Sequence, residues 1–192
     1  MDPLSQLLRD QSGVVSRRQV LDAGLTTTQL ARLRRRGQLV QMPHLTGVCV
    51  EHNGPPTHRQ RSQAAVLHAW PSALCLDSAL RAAEGPGRRE RSEATIHVAV
   101  DRQRRISAVP GVEVHRMAGF AERVQWNASP PRIRYEESVI DVAAGALDDL
   151  AAVASLADAV GSRRTTAARL LTCLGERHRI PRRSWLQAVL AD

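Results

Sequence analysis

The sequence predicts an α+β protein: a winged helix-turn-helix over residues 1–53, then a mixed α/β domain over residues 54–192 with a small sheet and a helical C-terminus. Three observations predict it. Residues 3–50 run through three short helical patterns and then two alternating apolar runs, which is the element order of a winged helix. Two later runs, TIHVAV at 95–100 and VEVHRM at 112–117, alternate as strands do. From Glu136 onward the chain is alanine-rich with helical spacing.

Taken in order, Pro3 to Asp10 reads as a first helix with Leu4, Leu7 and Leu8 on one face, followed by Gly13 and the apolar pair Val14 and Val15. Ser16 serves as N-cap for a second helix, Arg17 to Ala23, which Gly24 stops. A threonine of the TTT run caps a third helix that continues through QLARLRRR to Gly37. Leu30 and Leu33 face inward there, leaving Thr28, Gln29, Arg32, Arg35 and Arg36 on the opposite stripe. QLVQM and TGVCV flank Pro43 and His44 as a hairpin, and EHNGPP at 51–56 reads as a linker.

Beyond it, Thr57 caps a helix reaching about Trp70 and Asp77 caps another reaching about Ala83, before the polar loop GPGRRERSE. The two alternating strands enclose the loop DRQRRISAVPG, and RIRY is a candidate third strand. SVIDVAAGA, LDDLAAVASLADAV, TTAARLLTCLGER and PRRSWLQAVLAD follow as amphipathic helices, three of them started by Asp148, Thr165 and Pro181.

Composition narrows the function. Hydrophobic residues make up 43% of the 192 but aromatics only 3%, so the core is built from Ala, Leu and Val. The net charge is +8 and the pI about 11.1, a balance suited to an anionic partner such as nucleic acid. All 27 basic residues are arginine, so the choice of Arg over Lys carries no information here and only position does. The positive charge lies in the first two-thirds: residues 1–61 hold nine arginines against four acids, whereas residues 136–192 hold seven against eight. No apolar run reaches the length of a membrane span and the polar start lacks a signal-peptide core, so no membrane association and a cytoplasmic location are expected.

Double-stranded DNA is the expected partner. Thr27, Thr28 and Gln29 at the front of the third helix would reach base edges, with Arg32, Arg35 and Arg36 on phosphates or guanine edges. Arg17 and Arg18 would meet backbone phosphate. From the hairpin, Gln41 and His44, with Gln38, would touch backbone or minor groove, or else the hairpin simply covers the core. A second basic cluster, Arg88, Arg89, Arg91, Arg102, Arg104 and Arg105, either extends that track or decorates solvated loops.

No catalytic constellation, cofactor or metal site is expected. G-x-S-x-G, P-loop and HExxH patterns are all missing. Cys49, Cys75 and Cys173 lack CxxC spacing and read as core or edge thiols, and Trp70, Trp126 and Trp185 as scattered packing anchors. His97 and His115 fall in neighbouring strands, but no Cys or carboxylate joins them at ligand spacing. Glu136, Glu137 and Asp141 open a helix, where capping the positive dipole end explains them.

The pattern GVVSRRQVLDAGLTTTQLARLRRRGQLVQM followed by GVCV resembles the winged-helix domain of the AbiEi-type antitoxins of type IV toxin–antitoxin systems. TIHVAV, GVEVHRM, VQWNASPPRIRYEESVIDVAA and RRTTAARLL look like an actinobacterial branch in which such a region precedes a Vsr-like endonuclease domain. The resemblance implies an autorepressor that binds inverted repeats, with a nucleotidyltransferase-like toxin as partner. Alternatively it implies the DNA-targeting portion of a split or truncated Vsr-like nuclease; a protein-interaction module is a third reading. The chain departs from the family at Cys49, where relatives carry a tyrosine. It also stops near LQAVLAD, where the nuclease would begin, and lacks the lysine a PD-(D/E)xK site needs, so this chain itself is expected not to be an enzyme.

Overall fold

The computed structural model describes residues 2–85, 95–177 and 179–191. Helix α1 (Pro3–Asp10) starts under the carboxylate of Asp2, which accepts from the backbone of Leu4 and Ser5. Strand β1 (Val14–Ser16) leads directly into α2 (Arg17–Asp22), and α3 (Thr27–Arg35) follows a tight turn at Gly24. Strands β2 (Val40–Gln41) and β3 (Val48–Val50) form the hairpin read from the sequence, with Val40 opposite Val50. The structure adds β1, which pairs antiparallel with the other side of β3, giving the sheet order β1-β3-β2.

Alternation along this sheet divides its side chains between two cores. Val15 and Cys49 point to the helices, packing with Leu4, Val20, Leu30 and Leu39. Val14, Val48 and Val50 point the other way, onto Ala64 and Leu67 of α4 (His58–Ala69). Both faces are covered, so β1 and β3 are buried throughout.

Helix α4 is itself covered on two sides. Ala64 and Leu67 meet the first sheet, whereas Ala65, Val66 and Ala69 meet the second through Leu74, Val98 and Val100. A helix buried all round has no reason to show one apolar stripe. Its buried polar residues are accordingly spent on hydrogen bonds: Gln60 Nε2 donates to the Ser12 carbonyl at 3.0 Å and Gln63 Nε2 to Gln11 Oε1 at 3.0 Å. Residues 51–56 therefore connect two parts that share a core and a polar seam.

The second sheet has the order β6-β5-β4-β8-β7, from β4 (Ala73–Leu74), β5 (Ile96–Asp101), β6 (Val112–Met117), β7 (Val124–Gln125) and β8 (Arg132–Ile133). It is mixed: β5 is antiparallel to β4 and parallel to β6. The β5–β6 connection is held down where the Arg104 guanidinium donates to the carbonyls of Ala69, Trp70 and Pro71. Helices α5 (Leu76–Glu84) and α7 (Tyr135–Ala144) carry a helical core completed by α8 (Asp149–Gly161), α9 (Ala167–Gly175) and α10 (Arg183–Ala191). A short turn of helix, α6 (Phe120–Arg123), precedes β7.

Two expected helix caps shift, by two residues at α5 and by one at α9. Cys75, with no side-chain cap, precedes α5, and Asp77 lies inside its first turn. Thr166 rather than Thr165 caps α9, because the Thr165 hydroxyl turns inward and donates to Glu136 Oε1 at 3.0 Å.

Candidate nucleic-acid interface

Reciprocal caps build the second and third helices. Ser16 Oγ accepts from the Gln19 amide while Gln19 Oε1 accepts from the Ser16 amide, and Thr26 and Gln29 repeat the arrangement on α3. At the far end of α3, Gly37 adopts φ +69°, the Gln38 amide donates to the Leu33 carbonyl and the Gly37 amide to that of Arg34. That is a Schellman closure, and it needs the left-handed conformation glycine takes without strain.

Between these ends Leu30 is buried and Leu33 half-buried, whereas Thr27, Thr28, Gln29, Arg32, Arg35 and Arg36 are exposed as the sequence predicts. Arg34 is exposed as well, on the flank toward β2; the helical wheel hid it because it lies away from the centre of the polar stripe. Helix α3 stands as a ridge between two shallow depressions. One, of about 430 Å³, is lined by Arg34, Arg35 and Gln41; the other, of about 270 Å³, by Gln29, Arg32 and Arg36.

The arginines of this ridge differ from those held inside the fold. Arg32, Arg34, Arg35 and Arg36 form no side-chain hydrogen bond or ion pair among the described residues. Near the end of α3 they complement its negative dipole end, and their guanidinium donors remain free for an external acceptor. By contrast Arg123 and Arg177 lie half-buried between Glu137 and Asp141, with N···O distances of 2.6 to 2.7 Å.

Several expected site residues are engaged inside the fold. Gln29 Oε1 is held by the Thr26 amide at 2.7 Å, which leaves only its Nε2 to face outward. Gln41 turns inward: its Nε2 donates to the carbonyls of Leu45 at 2.7 Å and Val48 at 3.1 Å, stapling the hairpin turn rather than reaching out. His44 is exposed at that turn with φ +60°. Arg17 is exposed, its amide bound to the Gly47 carbonyl at 2.6 Å, and Arg18 lies 5.3 Å from the Trp70 ring centroid in a cation–π contact. Of the second basic cluster, Arg102 and Arg105 are exposed, Arg104 is consumed by the three carbonyls already described, and Arg88, Arg89 and Arg91 lie outside the described residues. Only part of that cluster can extend a DNA track.

Other expectations change with the tertiary structure. Trp70 and Trp126 are not scattered: their centroids are 5.8 Å apart, with Phe120 5.6 Å beyond Trp126. Glu136, Glu137 and Asp141 do more than meet a dipole, since Glu137 and Asp141 grip the half-buried Arg123 and Arg177 and Glu136 pairs with Arg169 at 2.8 Å. The cysteines are free and buried as expected, and burial raises all three thiols, Cys173 to about 12. His97 and His115 do acquire a carboxylate: parallel pairing sets Glu113 opposite His97, within 3.6 Å of one ring and 3.5 Å of the other. Burial holds His115 below the usual histidine value.

Residues 2–44, which contain α1 to α3 and β2, match the family model for a transcriptional regulator, the AbiEi antitoxin. The crystal structure of the Rv2827c protein from Mycobacterium tuberculosis superposes with a TM-score of 0.54 at 21% identity, covering 100% of this chain and 76% of that one. That likeness concerns the fold. No curated protein sequence matches. Among the described residues, no helix is long and apolar enough to cross a membrane.

Proposed function

We propose that this chain is a double-stranded DNA-binding transcriptional regulator of the AbiEi-antitoxin type. Residues 1–53 act as its winged helix-turn-helix, with α3 entering the major groove. The observation that carries the reading is the set of four unpaired arginines on the ridge of α3, inside the segment that matches the antitoxin regulator family. Thr27 and Thr28 stand at the exposed front of that helix, where recognition helices meet base edges. Arg17 flanks them and would anchor backbone phosphate. In this reading residues 54–192 engage a cognate toxin of nucleotidyltransferase type, the protein works in the cytoplasm, and it performs no catalysis of its own.

The test is a salt titration of binding to a duplex from the chain's own upstream region. Replacing Arg32, Arg35 and Arg36 together with alanine removes up to three phosphate contacts. It should flatten the slope of log K against log salt by about 2 to 3, at roughly 0.9 per contact. An unchanged slope and affinity would refute DNA binding through α3.

A further inference from the structure

We infer that His97, Glu113 and His115 form a binding site for a single divalent transition-metal ion, of which Zn²⁺ is the best match. The two strands that carry them run parallel, in a register that sets His97 opposite Glu113 and Ala99 opposite His115. Residues 113 and 115 share one face of β6, and His97 on β5 turns its ring to the same place. His97 Nδ1 and His115 Nε2 lie 3.0 Å apart, and the Glu113 carboxylate oxygens lie 3.6 Å and 3.5 Å from those nitrogens.

Those separations suit a metal. A tetrahedral ion with bonds of about 2.0 to 2.1 Å holds its ligand atoms about 3.3 to 3.4 Å apart; the two imidazole nitrogens stand 3.0 Å apart, each Glu113 oxygen lies 3.5 or 3.6 Å from one of them, and one ligand atom from each residue falls within 4.8 Å of the other two. Imidazole with one carboxylate is a donor set that Zn²⁺ accepts and that Ca²⁺ and Mg²⁺ do not favour. Three protein ligands also leave a coordination position open, as sites that exchange or activate a ligand do. His115 lines the wall of an open groove of about 910 Å³, whose other lining residues include both arginines and acids, so the open position faces solvent. In a chain holding 27 arginines, Glu113 pairs with none among the described residues; both of its contacts are to the histidines. The cluster lies on the second sheet, away from α3, so the inference stands apart from the DNA-binding reading.

The experiment uses the full chain without an affinity tag, titrated with ZnCl₂ against a chromophoric chelator, with Co²⁺ absorption as a report of tetrahedral geometry. Wild type should bind one equivalent. His97→Ala and His115→Ala should each weaken binding by about a hundredfold or more, since removing even an outer-shell partner costs 10- to 100-fold. Glu113→Gln, at a largely exposed position where folding is not at stake, should weaken binding measurably and shift the Co²⁺ spectrum. A rise in Tm on adding Zn²⁺ should be seen in wild type and be smaller in Glu113→Gln at the same Zn²⁺ concentration. Failure of the wild-type chain to bind, or one-equivalent binding that survives the His97→Ala, His115→Ala double change, would overturn the site.

Discussion

Side chains of one type do different work in this protein according to what lies within 3 Å of them. Arg123 and Arg177 are held half-buried between Glu137 and Asp141, where removing one member would leave a partly desolvated charge without its partner. Arg104 is a clamp on three carbonyls, Arg18 stacks on an indole, and Arg32, Arg34, Arg35 and Arg36 stand free. Glutamines divide likewise: Gln19 and Gln29 close capping boxes, while Gln41 staples a turn. The cysteines are uniform by comparison, because burial disfavours the thiolate at each of them. Since the thiolate is the reactive form, all three should resist a thiol reagent at pH 8 in the native state and react fully in denaturant. Rapid modification of Cys173 in the folded protein would contradict its burial and its raised pKa.

Helix α3 shows what an element needs in order to be read from sequence. Its threonine cap, inward leucines and terminal Gly37 are local signals, and each appears where the pattern puts it. Thr26→Ala removes the hydroxyl that accepts from the Gln29 amide and should cost about 1 kcal/mol of stability by chemical denaturation. The triple arginine change on the exposed face should cost little, so losses of DNA binding and of folding can be separated. Elements β1, β4 and β7 were not legible, because strands of two or three residues are too short to display alternation. Helix α4 was legible by its Thr57 cap and its length, but its orientation was not, because burial on two sides removes the stripe that would have marked a face.

Over the whole molecule, α4 joins the two sheets. Its residues Ala64 and Leu67 belong to one apolar cluster and Ala65, Val66 and Ala69 to another, and hydrogen bonds from Gln60 and Gln63 to Ser12 and Gln11 tie the two parts together. Neither sheet can lose this helix without exposing apolar surface, so the chain should unfold in one calorimetric transition, with equal calorimetric and van't Hoff enthalpies. Two resolved endotherms would show that residues before 51 and after 57 unfold independently.

The sequence by itself determined the three helices and the hairpin through residue 50, the caps at Ser16, Thr57 and Asp148, the exposed face of α3 and the helical C-terminus, because each depends on neighbours within a few positions. Tertiary structure alone decided which arginines are free, which glutamines are consumed, and that Glu113 meets His97 and His115. Those outcomes depend on strand register and on chain segments distant in sequence. A parallel pairing of β5 with β6 brings residues 97 and 113 side by side, and nothing in the local spacing of either strand specifies that choice.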